Sequence, residues 1–440
     1  MSRAPSRILY ISHTSPLAAK IGPSRRHYHI LDQLSRFYEV HLLSLGTQSQ
    51  AEMFNATFAT RVADFDFAAP RRRRLTKFMQ KVWLTATSRC DFLPVLEPNL
   101  RLLCKQITSS GSFDAIMLSS VLLRSLALPE NVPVVGDTHN VEFDVHFRTS
   151  LLAETLMRRQ YARWQARSTF REERRCAHRV DLLLATSERD RQVFEREFDL
   201  QNVAVIPNGV DITEFTPSRV SGQTGTILFT GLMSYYPNEQ AIRWFLDAVF
   251  PLLLKSVPEA RLVVAGAAPP AWLIARSSSI LEVTGSVPDM RPYFQRACVV
   301  IAPLVIGGGT RVKILEAQAM AKPVVSTSLG SEGLDVRDGQ SILLADDAES
   351  FATQVARLLT DADFALKIGA NGRRNVVLNY NWDKIGDRLE CVFRERIGLA
   401  PRDVVKPHTD TDLAENNLER RCHLLVEGIS PCAGKQRQQE

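Results

Sequence analysis

The sequence predicts an α/β protein made of two doubly wound domains. Three observations carry that prediction. Short apolar runs of strand length alternate with longer stretches of helical period. The runs fall into two sets. Between the sets lies "TPSRVSGQTG" (216–225), rich in proline, glycine, serine and threonine, as a linker is. Strands alternating with helices imply parallel sheets joined by right-handed crossovers.

The first set of buried strands is "RILYIS" (7–12), "VHLLSL" (40–45), "DAIMLSS" (114–120), "VPVVGD" (132–137), "DLLLATS" (181–187) and "VAVIP" (203–207). The second is "TILFTG" (226–231), "ARLVVAG" (260–266), "LEVTG" (281–285), "CVVIAPL" (298–304) and "KPVVSTS" (322–328). Domains are therefore expected over 1–207 and 226–380, with a linker over 208–225. A last helix over 381–396 starts "NWDKIGDRLECVF" and is expected to return to the N-terminal domain; 397–440 has the polar, unpatterned look of a loose tail. No internal repeat is found.

Composition narrows the classes. Of 440 residues, 45% are apolar and 23% charged, which suits a globular protein with a sizeable core. The formal net charge of +6 favours anionic partners, whether phosphorylated ligands, nucleic acid or acidic lipid. Seven scattered cysteines with no C-x-x-C pair argue against a disulfide framework or a structural zinc site, and for a reducing cytosol. No apolar run reaches the length of a membrane span. The N-terminal apolar run is broken by Ser12, His13 and Thr14, and is expected to be a first buried strand rather than a signal peptide.

One stretch concentrates chemistry: "GGGTRVKILEAQAM" (307–320), between the strands "CVVIAPL" and "KPVVSTS". The glycines fall at the carboxyl end of a parallel strand, where open α/β sheets bind ligands. A helix N-terminus offers unpaired N–H groups to phosphate, and glycine lets phosphate approach the backbone. Arg311 and Lys313 add mobile positive charge, and Glu316 lies one turn further along the same helical face, where a carboxylate could accept from ribose hydroxyls. The competing reading is a turn, a helix cap and an exposed Lys313–Glu316 pair. The stretch is neither a Walker loop nor a G-x-G-x-x-G fingerprint.

Together, "IPNGVD", "FTGLMSYYPNEQAIRWF" and "GSVPDMRPYFQRACVVIAPLVIGGGTRVKILEAQAMAKPVVSTSLGSEGLDV" resemble the C-terminal domain of glycosyltransferase family 4, and "VVGDTHNVEFDVHFR" (134–148) resembles its acceptor-side domain. The similarity runs over 7–396 and is most specific over 204–345; bacterial exopolysaccharide-type sugar transferases are the nearest subgroup. The resemblance implies the GT-B fold, two Rossmann-like domains facing across a cleft. It implies transfer from a nucleotide sugar to a hydroxyl of a glycan or lipid-linked acceptor, with retained anomeric configuration and no metal or other cofactor. Closure would bring the anomeric carbon to the acceptor and exclude water.

By the same resemblance Glu316 is the motif glutamate that binds the donor ribose. The family often carries a second glutamate eight positions earlier, where this chain has Gly308. Either the backbone of Gly308, Gly309 and Thr310 supplies those contacts, or the sugar is held differently. The family's diphosphate cations usually follow the strand that here is "TILFTG", but "GLMSYYPN" has neither Arg nor Lys. Arg311 and Lys313 are expected to take over the diphosphate. Val287 matches the loop whose backbone reads the nucleobase. His139 matches the histidine that hydrogen-bonds the transferred sugar, orienting it rather than acting as nucleophile, with Asp137 and Glu142 beside it. Gly22 and Arg25 fall in the first strand-to-helix turn, which in the family touches donor phosphate or acceptor. For His139 the alternative is a structural histidine at a strand end; for the others it is an ordinary turn, cap or solvated side chain.

Two basic features stand apart from these motifs. "RRRR" fills 71–74. Arginines recur at 159, 163, 167, 171, 175 and 179, a slowly winding stripe on a helix, interleaved with Tyr161, Trp164 and Phe170. The stripe fits contact with an anionic membrane or a lipid-diphosphate acceptor; the alternative is a solvated face partly neutralised by Glu172 and Glu173. No nucleic-acid motif accompanies the charge. The expected location is cytoplasmic, with peripheral attachment to the inner face of the membrane. Other readings stay open: a GT-B epimerase or phosphorylase, or a catalytically degenerate binding subunit, which Gly308 keeps in play.

Overall fold

The computed structural model describes residues 4–17, 23–58, 61–69, 98–152, 155–218 and 222–402. Gly22, the arginines at 71–74 and the tail beyond 402 lie outside the described residues. Contacts divide the chain into two units. The first takes the described residues of Met1–Asn208, Gly308–Thr310 and Trp382–Val405; the second takes Gly209–Gly307 and Arg311–Asn381.

The first unit is built on seven parallel strands: β1 (Arg7–Ser12), β2 (Glu39–Leu45), β3 (Asp64–Ala68), β4 (Ala115–Leu118), β5 (Val134–Asp137), β6 (Leu182–Ala185) and β7 (Val203–Val205). Their order is β3-β2-β1-β4-β5-β6-β7. Register is set by pairs such as Ile8 with Val40 and with Ala115. Alternate residues of each strand face opposite sides, so one apolar run feeds two cores. Ile8, Tyr10, Val40 and Leu42 pack with Ile30, Leu31 and Leu34 of helix α1 (Pro23–Phe37). Leu9, Ile11, Leu43, Ile116 and Leu118 pack on the other side with Leu100, Cys104 and Ile107. Two helices, α2 (Glu142–Leu152) and α3 (Leu156–Ala177), follow β5.

The second unit has six parallel strands: β8 (Thr226–Thr230), β9 (Arg261–Ala265), β10 (Leu281–Gly285), β11 (Val299–Ala302), β12 (Val324–Ser326) and β13 (Leu343–Leu344). Their order is β10-β9-β8-β11-β12-β13. Each sheet therefore reverses its winding beside its own first strand, at β1/β4 and at β8/β11. Such reversals are where open α/β sheets take ligands, outside the carboxyl ends of the strands. Helix α4 (Val312–Ala319) leaves β11 there and buries Ile314 and Leu315 against Leu228, Val300 and Val324.

Helix α5 (Trp382–Ile397) belongs to the first unit: Trp382, Ile385, Leu389 and Phe393 join the core formed by β1, β2 and α1. The expected loose tail differs over its first residues. Leu399 is buried, Ser6 N–H donates to the Ala400 carbonyl at 2.9 Å, and Arg402 N–H donates to the Phe37 carbonyl at 2.6 Å. The expected linker differs as well. Val210 and Phe215 are buried in the second unit's core, and Val210 N–H donates to Tyr380 O at 2.9 Å. Proline, glycine and serine mark irregular backbone, but buried apolar side chains decide whether that backbone is held.

Two strands had no counterpart among the expected runs. β3 reads D-F-D-F-A, an alternation that suits a sheet-edge strand rather than a run buried on both sides. β13 is two residues long at the opposite edge of the other sheet.

Candidate active site

In the first unit, the carboxyl ends of β1 and β5 and the start of α1 bring three histidines together. His27 Nε2 and His139 Nε2 are 2.9 Å apart. The rings of His13 and His27 meet edge to face at 5.0 Å between centroids, and His13 Nδ1 lies 3.0 Å from Ser119 Oγ. Burial holds His13 down at about 4, and burial first, then neighbouring positive groups, holds His27 and His139 well below the usual imidazole range. All three are neutral at pH 7.

Two hydroxyls face the other nitrogen of His27: Ser12 Oγ, which donates to the Thr14 carbonyl at 2.6 Å, and Thr14 Oγ1 each lie 3.2 Å from Nδ1. Between the two neutral rings one Nε2 donates and the other accepts, so the tautomers of His27 and His139 are coupled.

Beneath this cluster Arg26 and Asp137 form a buried, two-pronged ion pair, Nε to Oδ2 at 2.9 Å and Nη2 to Oδ1 at 2.7 Å. Arg26 also donates to the carbonyls of Ile206 and Pro207 and to Asn208 Oδ1. One guanidinium thus ties α1, β5 and the chain after β7. Desolvation raises the Asp137 carboxyl and Arg26 opposes that rise. Asp137 serves this ion pair. Arg25, the residue singled out in the sequence, is the half-buried neighbour of Arg26 on α1.

Glu142 opens α2 and is half-buried, with Asn140 Nδ2 3.4 Å from its Oε1; burial raises its carboxyl. Glu173, fully buried on α3, accepts from the backbone N–H groups of Glu142 and Phe143, both at 3.2 Å. It caps α2 and anchors the segment that follows His139.

In the second unit the key side chain is Lys313. Its Nζ donates to Asn238 Oδ1 at 2.9 Å and sits 4.2 Å from the centroid of Phe229. It is fixed and half-buried, where the sequence suggested a mobile charge. Desolvation and then Arg311 push it down, with Glu316 opposing, to about 7. Asn238 also donates from Nδ2 to the Leu232 carbonyl at 2.9 Å. Lys313 therefore reaches from α4 into the turn after β8, the turn that has no cation of its own.

Glycine makes room for this arrangement. Gly231 ends β8 at φ +153, and a Cβ there would lie 2.7 Å from Asn238 Nδ2 and 3.2 Å from Lys313 Nζ. A Cβ on Gly266, at φ +148, would fall 1.8 Å from the Gly231 carbonyl oxygen. Arg311 precedes α4, and a Cβ on Gly307 would lie 2.8 Å from its Nη2, so the guanidinium folds back onto the glycine turn. Glu316 is 8% exposed, one turn beyond Lys313. Val287 is half-buried just after β10. Gly308, Gly309 and Thr310 group with the first unit, and Gly309 has φ +71. Thr327 Oγ1 donates to the Leu304 carbonyl at 2.6 Å and accepts from Gly330 N–H at 2.9 Å, lacing β12 to the chain after β11.

The sequence pointed to Arg311, Lys313 and Glu316 in one unit and to His139 and Glu142 in the other. It did not single out His13, His27 or Asn238. His13 and His27 belong to no spaced motif; only the sheet order brings them to His139. Asn238 could have been found by asking what polar group follows β8 where a cation is missing.

Comparison with known proteins agrees with this layout. Residues 22–214 match the family described as Glycosyltransferase Family 4, and residues 224–361 match Glycosyl transferases group 1. A 44.6 kDa protein of the cps region of Klebsiella pneumoniae is 28% identical over 38% of this chain and 45% of its own. The lipopolysaccharide core biosynthesis mannosyltransferase LpcC of Rhizobium leguminosarum bv. viciae is 24% identical over 50% of this chain and 66% of its own. The alignments thus span about half to two thirds of those relatives. Among solved structures, Anabaena HepE in complex with UDP and glucose superposes with a TM-score of 0.64 at 13% identity, covering 89% of this chain and 100% of that one. Sucrose-phosphate synthase from Thermosynechococcus elongatus does so with a TM-score of 0.64 at 16% identity, covering 89% and 99%. Two parallel sheets that each reverse beside their first strand, with both halves matched, place the chain in glycosyltransferase family 4, on the GT-B fold.

Proposed function

We propose that the protein transfers a sugar from a nucleoside diphosphate sugar to a hydroxyl of a glycan or lipid-linked acceptor in polysaccharide biosynthesis, with retained configuration and without a metal. The observation that carries the donor half is Lys313. Its ammonium is held by Asn238 beside Gly231, at the carboxyl end of β8. A diphosphate placed there meets a cation, a helix N-terminus and a backbone without side chains. As the donor bond breaks, charge grows on the leaving diphosphate, and a preset cation stabilises it without reorganisation.

Glu316 is the proposed ribose acceptor, Val287 marks the proposed base-reading turn, and the backbone of Gly308, Gly309 and Thr310 with Arg311 completes the donor contacts. In the first unit, His139, hydrogen-bonded through Nε2 to His27, would orient a hydroxyl of the transferred sugar. Gly22 is assigned to the donor, and Glu142 and Arg25 to acceptor or phosphate contact. Support for the class comes from relatives named as sugar transferases and from HepE, which was crystallised with UDP-glucose.

Calorimetric titration with UDP, GDP and ADP, in EDTA, tests the donor half. Selective binding of one nucleotide is expected, weakened about tenfold or more in Glu316→Ala by the loss of charge-assisted hydrogen bonds. Absence of binding by any of the three overturns the reading. Near-normal turnover of both His139→Ala and Glu316→Ala would overturn the residue roles.

A further inference from the structure

The arginine stripe on α3 is left unused by this reading, and its surroundings are unusual. Phe147, Leu151 and Leu152 of α2 and Leu156, Met157 and Tyr161 of α3 are exposed by 49, 55, 51, 71, 83 and 52%. They are six of the twelve exposed large apolar side chains among the described residues, gathered within fifteen positions of sequence. Scattered exposed apolar residues need no explanation; a cluster on one pair of helices does.

The packing shows which side of α3 faces outward. Its buried residues are mostly small: Ala162, Ala166, Ser168, Thr169 and Ala177. Large apolar residues at its start are left outside while alanines and hydroxyls meet the unit. Tyr161 and Trp164 stack at 5.8 Å between ring centroids. Both pair an apolar body with a polar tip, as side chains at a bilayer interface do.

Charge gives the occupant. Arg158, Arg159, Arg163, Arg167 and Arg171 are all exposed, and no Asp or Glu occurs from 155 to 171. Of the two acids within α3, Glu173 caps α2, and Glu172 pairs at 2.5 Å with Arg175, toward the C-terminal end of the stripe and away from Arg158 to Arg167. A second copy of the chain is disfavoured, because a self-complementary contact would set these arginines against each other. No described helix is long and apolar enough to cross a membrane. We infer that the end of the α2–α3 pair is a membrane-docking element that seats its leucines and Met157 in the acyl boundary of an anionic bilayer, with the α3 arginines on the lipid phosphates.

The test is co-sedimentation of the full chain with vesicles of phosphatidylcholine, with and without phosphatidylglycerol, at low and high salt. Binding is expected to the anionic vesicles at low salt and to drop at least about tenfold at high salt or without the anionic lipid. Leu156→Asp/Met157→Asp is expected to abolish binding, with an unchanged thermal midpoint because both side chains are solvent-exposed. Arg158→Gln/Arg159→Gln, which leaves the apolar residues in place, is expected to weaken it about twentyfold, near fivefold per charge. Failure to bind anionic vesicles, or equal binding to neutral ones, overturns the inference. So does a concentration-dependent dimer in lipid-free solution that Leu156→Asp/Met157→Asp dissociates, which would make this face an interface between copies. None of these readouts uses donor or acceptor, so their failure leaves the proposed transfer standing.

Discussion

Lys313 Nζ donates to Asn238 Oδ1 at 2.9 Å, joining the first turn of α4 to the first turn of the helix Tyr236–Trp244 that follows β8. This contact places a cation where the local sequence has none. Burial there, and then Arg311, push the pKa of that ammonium down to about 7.

Donor binding should therefore depend on pH. A bound diphosphate favours the charged ammonium and raises its pKa, so binding takes up a proton above about 7. Affinity for the nucleoside diphosphate is expected to be full below that value. It should weaken as pH rises through it, by at most about tenfold per unit. Lys313→Arg should flatten the profile and Lys313→Met should lower affinity at all pH. Titrations at several pH values decide; a flat wild-type profile above pH 7 counts against a diphosphate contact at Lys313.

The same group affects stability with its own sign. Its folded pKa lies below the unfolded value of 10.5, so between about 7 and 10.5 the unfolded chain binds more protons. Stability from this group should rise with pH across that window and be flat below it. Comparing wild type with Lys313→Met by urea unfolding at several pH values isolates the contribution.

Arg26 and Asp137 are both buried, and each leaves the other's charge uncompensated if removed alone. Arg26→Ala is expected to cost about 3–5 kcal/mol of the first unit's stability. Arg26→Met with Asp137→Leu should recover much of that, since two apolar side chains strand no charge. Urea unfolding of the three proteins measures it; equal losses in the single and double variants would contradict the account.

His27→Phe keeps a ring in place but removes the nitrogen that hydrogen-bonds to His139 Nε2. If His139 orients a sugar, turnover should fall on the order of 10-fold to 100-fold, with little change in nucleotide affinity. Parallel kinetics and nucleotide titration separate the two, and an unchanged turnover number would place His27 in a packing role only.

Gly266→Ala should be costly even though only one methyl is added. The Cβ would meet the Gly231 carbonyl oxygen at 1.8 Å, and φ +148 disfavours any side chain. A loss of about 2 kcal/mol or more is expected, read as a lower thermal midpoint. Gly285→Ala is the control for space: φ is +70 there, but nothing lies within 4 Å of the added atom.

The buried strands were legible because a parallel strand covered on both faces is a continuous apolar run, and such runs survive in a single sequence. Edge strands β3 and β13 were not, because an edge needs only alternation or two residues. The Lys313 side chain was legible as a charge on a helix, but its destination was not. Its partner, Asn238, lies 75 positions away across the β8–β11 pairing. His27 was hidden for the same reason: 112 positions separate it from His139, and only the sheet order closes that distance.

The first unit's core takes Trp382, Ile385, Leu389 and Phe393 from the far end of the chain. During synthesis its sheet emerges first but lacks one wall until α5 leaves the ribosome. The second unit's strands, all between residues 226 and 344, are available earlier than that last piece. The unit begun first is thus the one completed last. A chain stopped before residue 382 carries an open apolar surface along α1, the kind of surface chaperones and proteases recognise, whereas one stopped after 402 has every described residue it needs.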